Sequence, residues 1–224
     1  MPETDVPGLV RGLEGVIAAP TAICDLDGAN GRLAYRGYDI ADLAPRATYE
    51  EVVYLLWNGE LPSPGQKSAF AAQLASQRAI PTELIESMRL YPRPSNSMAA
   101  LRAATAQLGL YDAESESIEA DALRRIATRL VARLPTIVAA LQRIQDGLDP
   151  IAPREDLGHA ANFLHMLFGR EPEPGDARAL DAGLILYAEH ELNASTFAAR
   201  VTASTMSDLY SAVTAAVGTI KGPL

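Results

Sequence analysis

The strongest pattern in the chain is a run of apolar side chains spaced three and four apart: Leu123, Ile126, Ala127, Leu130, Val131, Leu134, Ile137, Val138, Leu141 and Ile144. Residues at these intervals share one face of a helix, so the spacing predicts a single long amphipathic helix over 118–146, closed by Gly147. Pro135 lies inside it and has no N–H for the helical ladder, which predicts a kink there. Shorter helices are marked by their ends. Thr48 and Glu51 have the spacing of a capping box and open a helix over 49–58 that Gly59 stops. Ser63 and Gln66 repeat the device with Pro64 at the first helical position, predicting a helix to about residue 79, closed by Pro81. Further helices are expected over 82–90, 97–110, 156–168 (ending at Gly169) and 176–191. The stretch 193–220 is rich in Ala, Ser, Thr and Gly, which lets backbones approach closely between other helices or at a subunit interface.

One stretch breaks the helical rhythm. Across 21–38, two short extended pieces flank the Asp27-Gly28-Ala29-Asn30-Gly31 cluster, which reads as a β-hairpin with its turn at 27–31. Two strands alone are marginal, so the hairpin must lie on something larger. With no linker, repeat or low-complexity segment in sight, the pattern predicts one all-α domain, helical over 39–220, with a small N-terminal β-hairpin.

Composition supports helices: the chain of 224 residues is 48% apolar but only 6% aromatic, with alanine abundant. A chain of this length buries enough core to stand without disulfide or metal staples. Its 19 basic and 28 acidic residues give a net charge of −9, which argues against nucleic acid and anionic membranes as partners. No run approaches the roughly 18 apolar residues of a membrane span, and the Met1–Asp5 start has no basic or apolar signal region, so a cytoplasmic protein is expected. The single Cys24 forms no intrachain disulfide, and Asp25 and Asp27 beside it are expected to raise its pKa. Three histidines and one cysteine offer no zinc-type spacing, so no metal is expected.

Candidate chemistry concentrates at Tyr187-Ala188-Glu189-His190-Glu191-Leu192-Asn193-Ala194-Ser195-Thr196, where a histidine between two carboxylates falls at a junction of two helices expected to be buried. Flanking glutamates should favour an imidazolium able to hold an anion, with Asn193 and Ser195 adding donors or capping the next helix. A satisfied core histidine beside an ordinary N-cap fits the local pattern as well. His159 and His165 are six apart, so one helix cannot aim them at a common site, and both read as structural. Arg32, Arg36 and Arg154 fit surface or ion-pair roles better than anion contacts. Neither a phosphate-binding Gly-rich loop ending in Lys-Ser/Thr nor a Gly-x-Ser-x-Gly elbow is present.

Several strings together resemble the family of citrate synthase and 2-methylcitrate synthase. They are Gly12-Leu13-Glu14-Gly15-Val16-Ile17-Ala18-Ala19, Tyr35-Arg36-Gly37-Tyr38-Asp39-Ile40, Leu55-Leu56-Trp57-Asn58-Gly59-Glu60-Leu61-Pro62 and Ala161-Asn162-Phe163-Leu164 with Met166-Leu167-Phe168-Gly169. The run from Glu189-His190-Glu191 through Asn193-Ala194-Ser195-Thr196 to Lys221-Gly222-Pro223-Leu224 completes the set. The resemblance implies a mostly helical homodimer whose large domain carries a smaller, CoA-binding domain that closes over the substrates. It implies condensation of acetyl-CoA with oxaloacetate to citrate and CoA in the tricarboxylic acid cycle. Acetyl-CoA would be a co-substrate and no cofactor permanently bound; propionyl-CoA is the donor in the 2-methylcitrate branch. By position, His190 resembles the family's oxaloacetate-binding histidine, with Asn193 orienting the turn.

Tyr187 stands where relatives often carry histidine, and Ser95-Asn96-Ser97-Met98 departs from the family's His-Pro-Met. The family's catalytic histidine follows Gly-Pro-Leu directly, and this sequence stops at Leu224. The base aspartate, the carbonyl-polarising histidine, the carboxylate-binding arginines and the small domain are likewise absent. The resemblance therefore implies an N-terminal portion of the large domain that does not turn over alone and would need a complementary C-terminal chain. The competing expectation is a non-catalytic helical module that pairs across a twofold axis.

Overall fold

In the computed structural model, which describes residues 19–223, three short strands precede ten helices. The strands are β1 (Cys24–Asp27), β2 (Arg32–Tyr35) and β3 (Tyr38–Asp39). The helices are α1 (Ile40–Arg46), α2 (Tyr49–Asn58), α3 (Pro64–Ser76), α4 (Thr82–Arg89), α5 (Ser97–Gly109), α6 (Ala120–Gln145), α7 (His159–Phe168), α8 (Pro174–Leu186), α9 (Ala194–Ser204) and α10 (Leu209–Ile220). The mostly helical expectation holds. The string 12–18, the Met1–Asp5 start and Leu224 lie outside the described residues.

The long stripe does what its spacing implies. Ile126, Leu130, Ile137, Leu141 and Ile144 of α6 pack with Leu84 and Met88 of α4, Ala104 and Leu108 of α5 and Tyr210 of α10 in the largest core. Leu108, Ile126 and Ile137 are completely buried, each contributing about 1.5–3 kcal/mol by leaving water. The helix begins two residues later than the expected 118, leaving Ile118 half exposed, and it continues unbroken through Pro135. A second core joins the strands to helices: Cys24 and Tyr35 pack with Leu43, Val52, Leu55 and Ile185. This is the larger body on which the marginal hairpin lies.

Both capping boxes form. Thr48 Oγ1 accepts from the Glu51 N–H while the Glu51 carboxylate accepts from the Thr48 N–H, and Ser63 and Gln66 make the same exchange. Elsewhere the structure corrects the reading. The sheet has a third strand, antiparallel to β2, because Arg36 and Gly37 both take left-handed φ angles (51° and 87°), the signature of a tight two-residue hairpin turn. Arg-Gly is not a usual sequence for that turn. Arg36 sustains it by donating to the carbonyls of Leu56 (2.9 Å) and Ala22 (3.2 Å).

Helix α7 starts at 159 and not 156, since Asp156 is held by the Arg154 guanidinium in the preceding loop. Helix α8 stops at Leu186, five residues before the expected 191, and the chain then turns. The small-residue stretch is two helices, separated where Met206 adopts φ 63° and Asp208 caps the second by accepting from the Ser211 N–H at 2.8 Å. Helix α9 packs chiefly on α10, which in turn lies on α5. No helix among the described residues is long and apolar enough to cross a membrane.

Candidate functional site

His190 lies in the turn between α8 and α9, and each end of that turn is tied down. At its start, the last carbonyls of helix α8 lack a full set of helical donors, although that of Ile185 accepts from the Ala188 N–H at 3.2 Å. The buried Tyr35 hydroxyl, reaching across from β2, donates to the carbonyl of Ile185 (3.0 Å), with that of Leu186 also in range (3.2 Å). The same oxygen accepts from the Glu189 N–H at 3.3 Å. At its end, Asn193 is the N-cap of α9, its Oδ1 accepting from the N–H groups of Ser195 (2.9 Å) and Thr196 (3.0 Å). Between these anchors Glu191 is forced into the left-handed region at φ 66°, and its N–H donates to the Glu189 carboxylate at 2.5 Å.

This arrangement corrects two expectations. His190 is exposed, not at a buried junction, and among the described residues no ion pair joins its imidazole to Glu189 or Glu191. Glu189 turns inward toward Cys24 and Tyr35. Burial, then the Glu189 carboxylate, pushes the Cys24 thiol up; the expected direction is right, and of its two expected causes Asp25 adds least and Asp27 is not among them. Asp27 is instead engaged in its own turn, where Asn30 donates to it and holds its carboxyl below the usual range.

The partner His190 does have is Asn193, whose Nδ2 lies 3.4 Å from the imidazole Nε2 and 3.0 Å from the Thr196 hydroxyl. In the tautomer that accepts from this amide, Nδ1–H is left as a donor. Both residues line a cleft of about 730 Å³ between α9 and α10, with Ser195, Thr196 and Arg200 on the same walls and small residues such as Ala212 and Ala216 opposite. Neutral donors, one guanidinium and the positive end of an 11-residue helix converge there, a combination suited to a small carboxylate.

The other sequence candidates are structural. Arg154 pairs with Asp156 and Glu171, Arg36 braces the sheet, and Arg32 is exposed on β2. His165 is half buried, while His159 is buried on α7 against Tyr49, ring centroids 4.9 Å apart. Burial pushes the His159 imidazole well below its ordinary range, and nearby Arg78 adds to this against the pull of Glu50.

Sequence reasoning missed the polar cluster around His159. The buried Glu50 carboxylate accepts from the His159 N–H at 2.8 Å, taking one of the orphan donors that open α7. Asp181 does the same for α2, accepting from the Tyr49 N–H at 3.0 Å while Arg178 bridges it to the carbonyl of Ala47. Arg78, almost fully buried, donates to the carbonyls of Arg154 and Leu157. Two helix starts are thus capped by acids distant in sequence. No local spacing signals such long-range caps.

The described residues form a mostly helical protein with a histidine–asparagine pair at a helix start. Comparison with known proteins agrees on the fold. The family model for the citrate synthase C-terminal domain matches residues 12–224. "Citrate synthase 2" of Bacillus subtilis (strain 168) is 47% identical over 215 residues, 96% of this chain and 57% of that protein. The crystal structure of citrate synthase from Pyrobaculum aerophilum superposes with a TM-score of 0.90 at 45% identity, covering 94% of this chain and 55% of that one. Citrate synthase from the archaeon Thermoplasma acidophilum, solved as a ternary complex with carboxymethyl coenzyme A and oxaloacetate, superposes at 0.89 with 31% identity, over 95% of this chain and 57% of that one. The chain belongs to the citrate synthase family and spans a little over half the length of these relatives.

Proposed function

We propose that this chain supplies the oxaloacetate-holding part of a citrate synthase, which condenses acetyl-CoA with oxaloacetate to give citrate and CoA in the cytoplasm, within the tricarboxylic acid cycle. The observation that carries the reading is the His190–Asn193 pair at the mouth of the α9–α10 cleft, within a chain of this family. Oxaloacetate has two carboxylates and a ketone, all acceptors. His190 would donate one charge-assisted hydrogen bond, and Asn193 would hold the imidazole and the start of α9 in place. Support for oxaloacetate as ligand comes from the Thermoplasma relative, whose complex contains it.

Forming a carbanion beside a thioester needs a base and enol stabilisation in a closed site, and His190 with Asn193 provides neither. The reaction is therefore assigned to an assembly in which a C-terminal partner chain contributes those groups and the CoA-binding small domain, and in which two copies of this chain pair. Helix α9 supports assembly: none of its residues is buried, and Phe197 and Val201 are exposed on it.

The test is reconstitution. This chain is mixed with a C-terminal chain of a family member, oxaloacetate and acetyl-CoA, and free thiol is followed; propionyl-CoA in place of acetyl-CoA reads out the 2-methylcitrate alternative. Thiol release that requires both chains is the expected result. No release with either acyl-CoA from a complex shown to assemble overturns the proposal in favour of a non-catalytic helical module.

A further inference from the structure

The Tyr35 hydroxyl lies between two parts of the site that the rest of the fold leaves independent. Its ring is completely buried against the second core, a role phenylalanine would fill as well. The hydroxyl does something else: all its hydrogen bonds go to the main chain at the start of the His190 turn, to the carbonyls of Ile185 and Leu186 and from the N–H of Glu189.

We infer that Tyr35 is the positioning residue for His190, acting through the main chain of the turn and touching no ligand itself. The argument is one of degrees of freedom. The Tyr187 and Ala188 N–H groups still reach α8 carbonyls, but the segment 189–193 has left that ladder and has not yet entered that of α9, and Glu191 within it is held in a conformation that L-residues adopt only when their surroundings impose it. Asn193 fixes the exit. Among the described residues, only the Tyr35 hydroxyl joins the last carbonyls of α8 to the amide of Glu189, one residue before His190. Without it, the start of the turn keeps its backbone but loses its anchor, and the imidazole loses its fixed distance to the Asn193 amide.

Selective 15N labelling of the three histidines tests this in the full chain. In Tyr35→Phe the His190 imidazole signals should shift and broaden, while those of His159 and His165, on α7, stay in place as internal controls. A second arm rests on the reading that this cleft holds oxaloacetate: the oxaloacetate concentration that half-saturates the His190 shift should rise about tenfold, the factor that one lost hydrogen bond brings. A Tyr35→Phe variant that is less stable but whose His190 signals are unchanged would show Tyr35 to be a core residue only, and the inference would fall. If oxaloacetate moves no signal in the unaltered chain, the assignment of the ligand fails, while the ligand-free spectra still decide the role of Tyr35. Should Tyr35→Phe not fold, amide exchange of the unaltered chain decides. The Glu189 N–H should exchange at least tenfold more slowly than that of exposed His190. Equal exchange at the two positions overturns the inference.

Discussion

His159 and His190 occupy opposite environments within one chain. Around His159, the carboxylate of Glu50 takes the backbone N–H, Tyr49 covers the ring, and buried Arg78 lies close by. Around His190 the backbone is held as well, by Tyr35 on one side and Asn193 on the other, but the side chain stands exposed at a cleft. Buried polar groups are retained where each has a partner, because an unpartnered one is costly, and such clusters determine architecture. A polar side chain left free on a rigid backbone is available to a ligand. A histidine near carboxylates is thus no guide by itself: hydrogen bonds hold the main chain at both, and what distinguishes the two is whether the ring is buried against a neighbour or exposed at a cleft.

The largest effect expected from this contrast is in Glu50→Ala. It leaves the buried N–H at the start of α7 without its acceptor, which should cost about 1.5–3 kcal/mol in urea unfolding. His190→Ala, at an exposed position, should stay within about 0.5 kcal/mol. Equal losses would erase the distinction between the two sites.

Acid sharpens it next. Burial holds His159 neutral in the folded state, whereas in the unfolded chain it titrates near pH ~6.5. Over that interval the unfolded state binds more protons, so the contribution is complete above about pH 6.5 and is lost as the pH falls toward the depressed folded value. His159→Phe keeps a ring against Tyr49 and should flatten the decline in unfolding free energy between about pH 7 and pH 5. If both proteins lose stability in parallel over that interval, His159 is not the group responsible. Tyr35→Phe follows, with a loss of about 1–2 kcal/mol from the Glu189 N–H and the Leu186 carbonyl that it leaves without their partner, measured by thermal unfolding.

How much of this was legible in the sequence depends on how local the cause is. The α6 stripe, the two capping boxes and the Asp27-to-Gly31 turn are set by residues within one or two turns of each other, and they appear where the spacing puts them. The end of α8 is braced by Tyr35, 150 positions away in the chain. The first N–H groups of α2 and α7 are taken by Asp181 and Glu50, over comparable separations. No periodicity encodes such partners, and so the string alone predicts a buried helix junction at His190 where the structure has an exposed, clamped turn. His190 and Asn193 themselves were found through their string, whose residues are adjacent.

The smallest change separates the two duties of Asn193. As an N-cap its Oδ1 accepts from Ser195 and Thr196; as a neighbour of His190 its amide nitrogen is the donor. Aspartate caps a helix about as well as asparagine, and its charge is favourable at the positive end of α9, so Asn193→Asp should leave the unfolding midpoint nearly unchanged. Asn193→Ala should lose about 1 kcal/mol, the usual worth of a cap. The carboxylate has no proton to offer the imidazole, however, and it puts a negative charge at the mouth of a cleft proposed to take a dianion. Oxaloacetate should therefore perturb the His190 signal in the unaltered chain and fail to do so in Asn193→Asp at the same concentration. If the aspartate variant binds as well as the original, Asn193 serves the helix alone, and recognition must rest on His190 with the other groups along the cleft, Arg200 first among them.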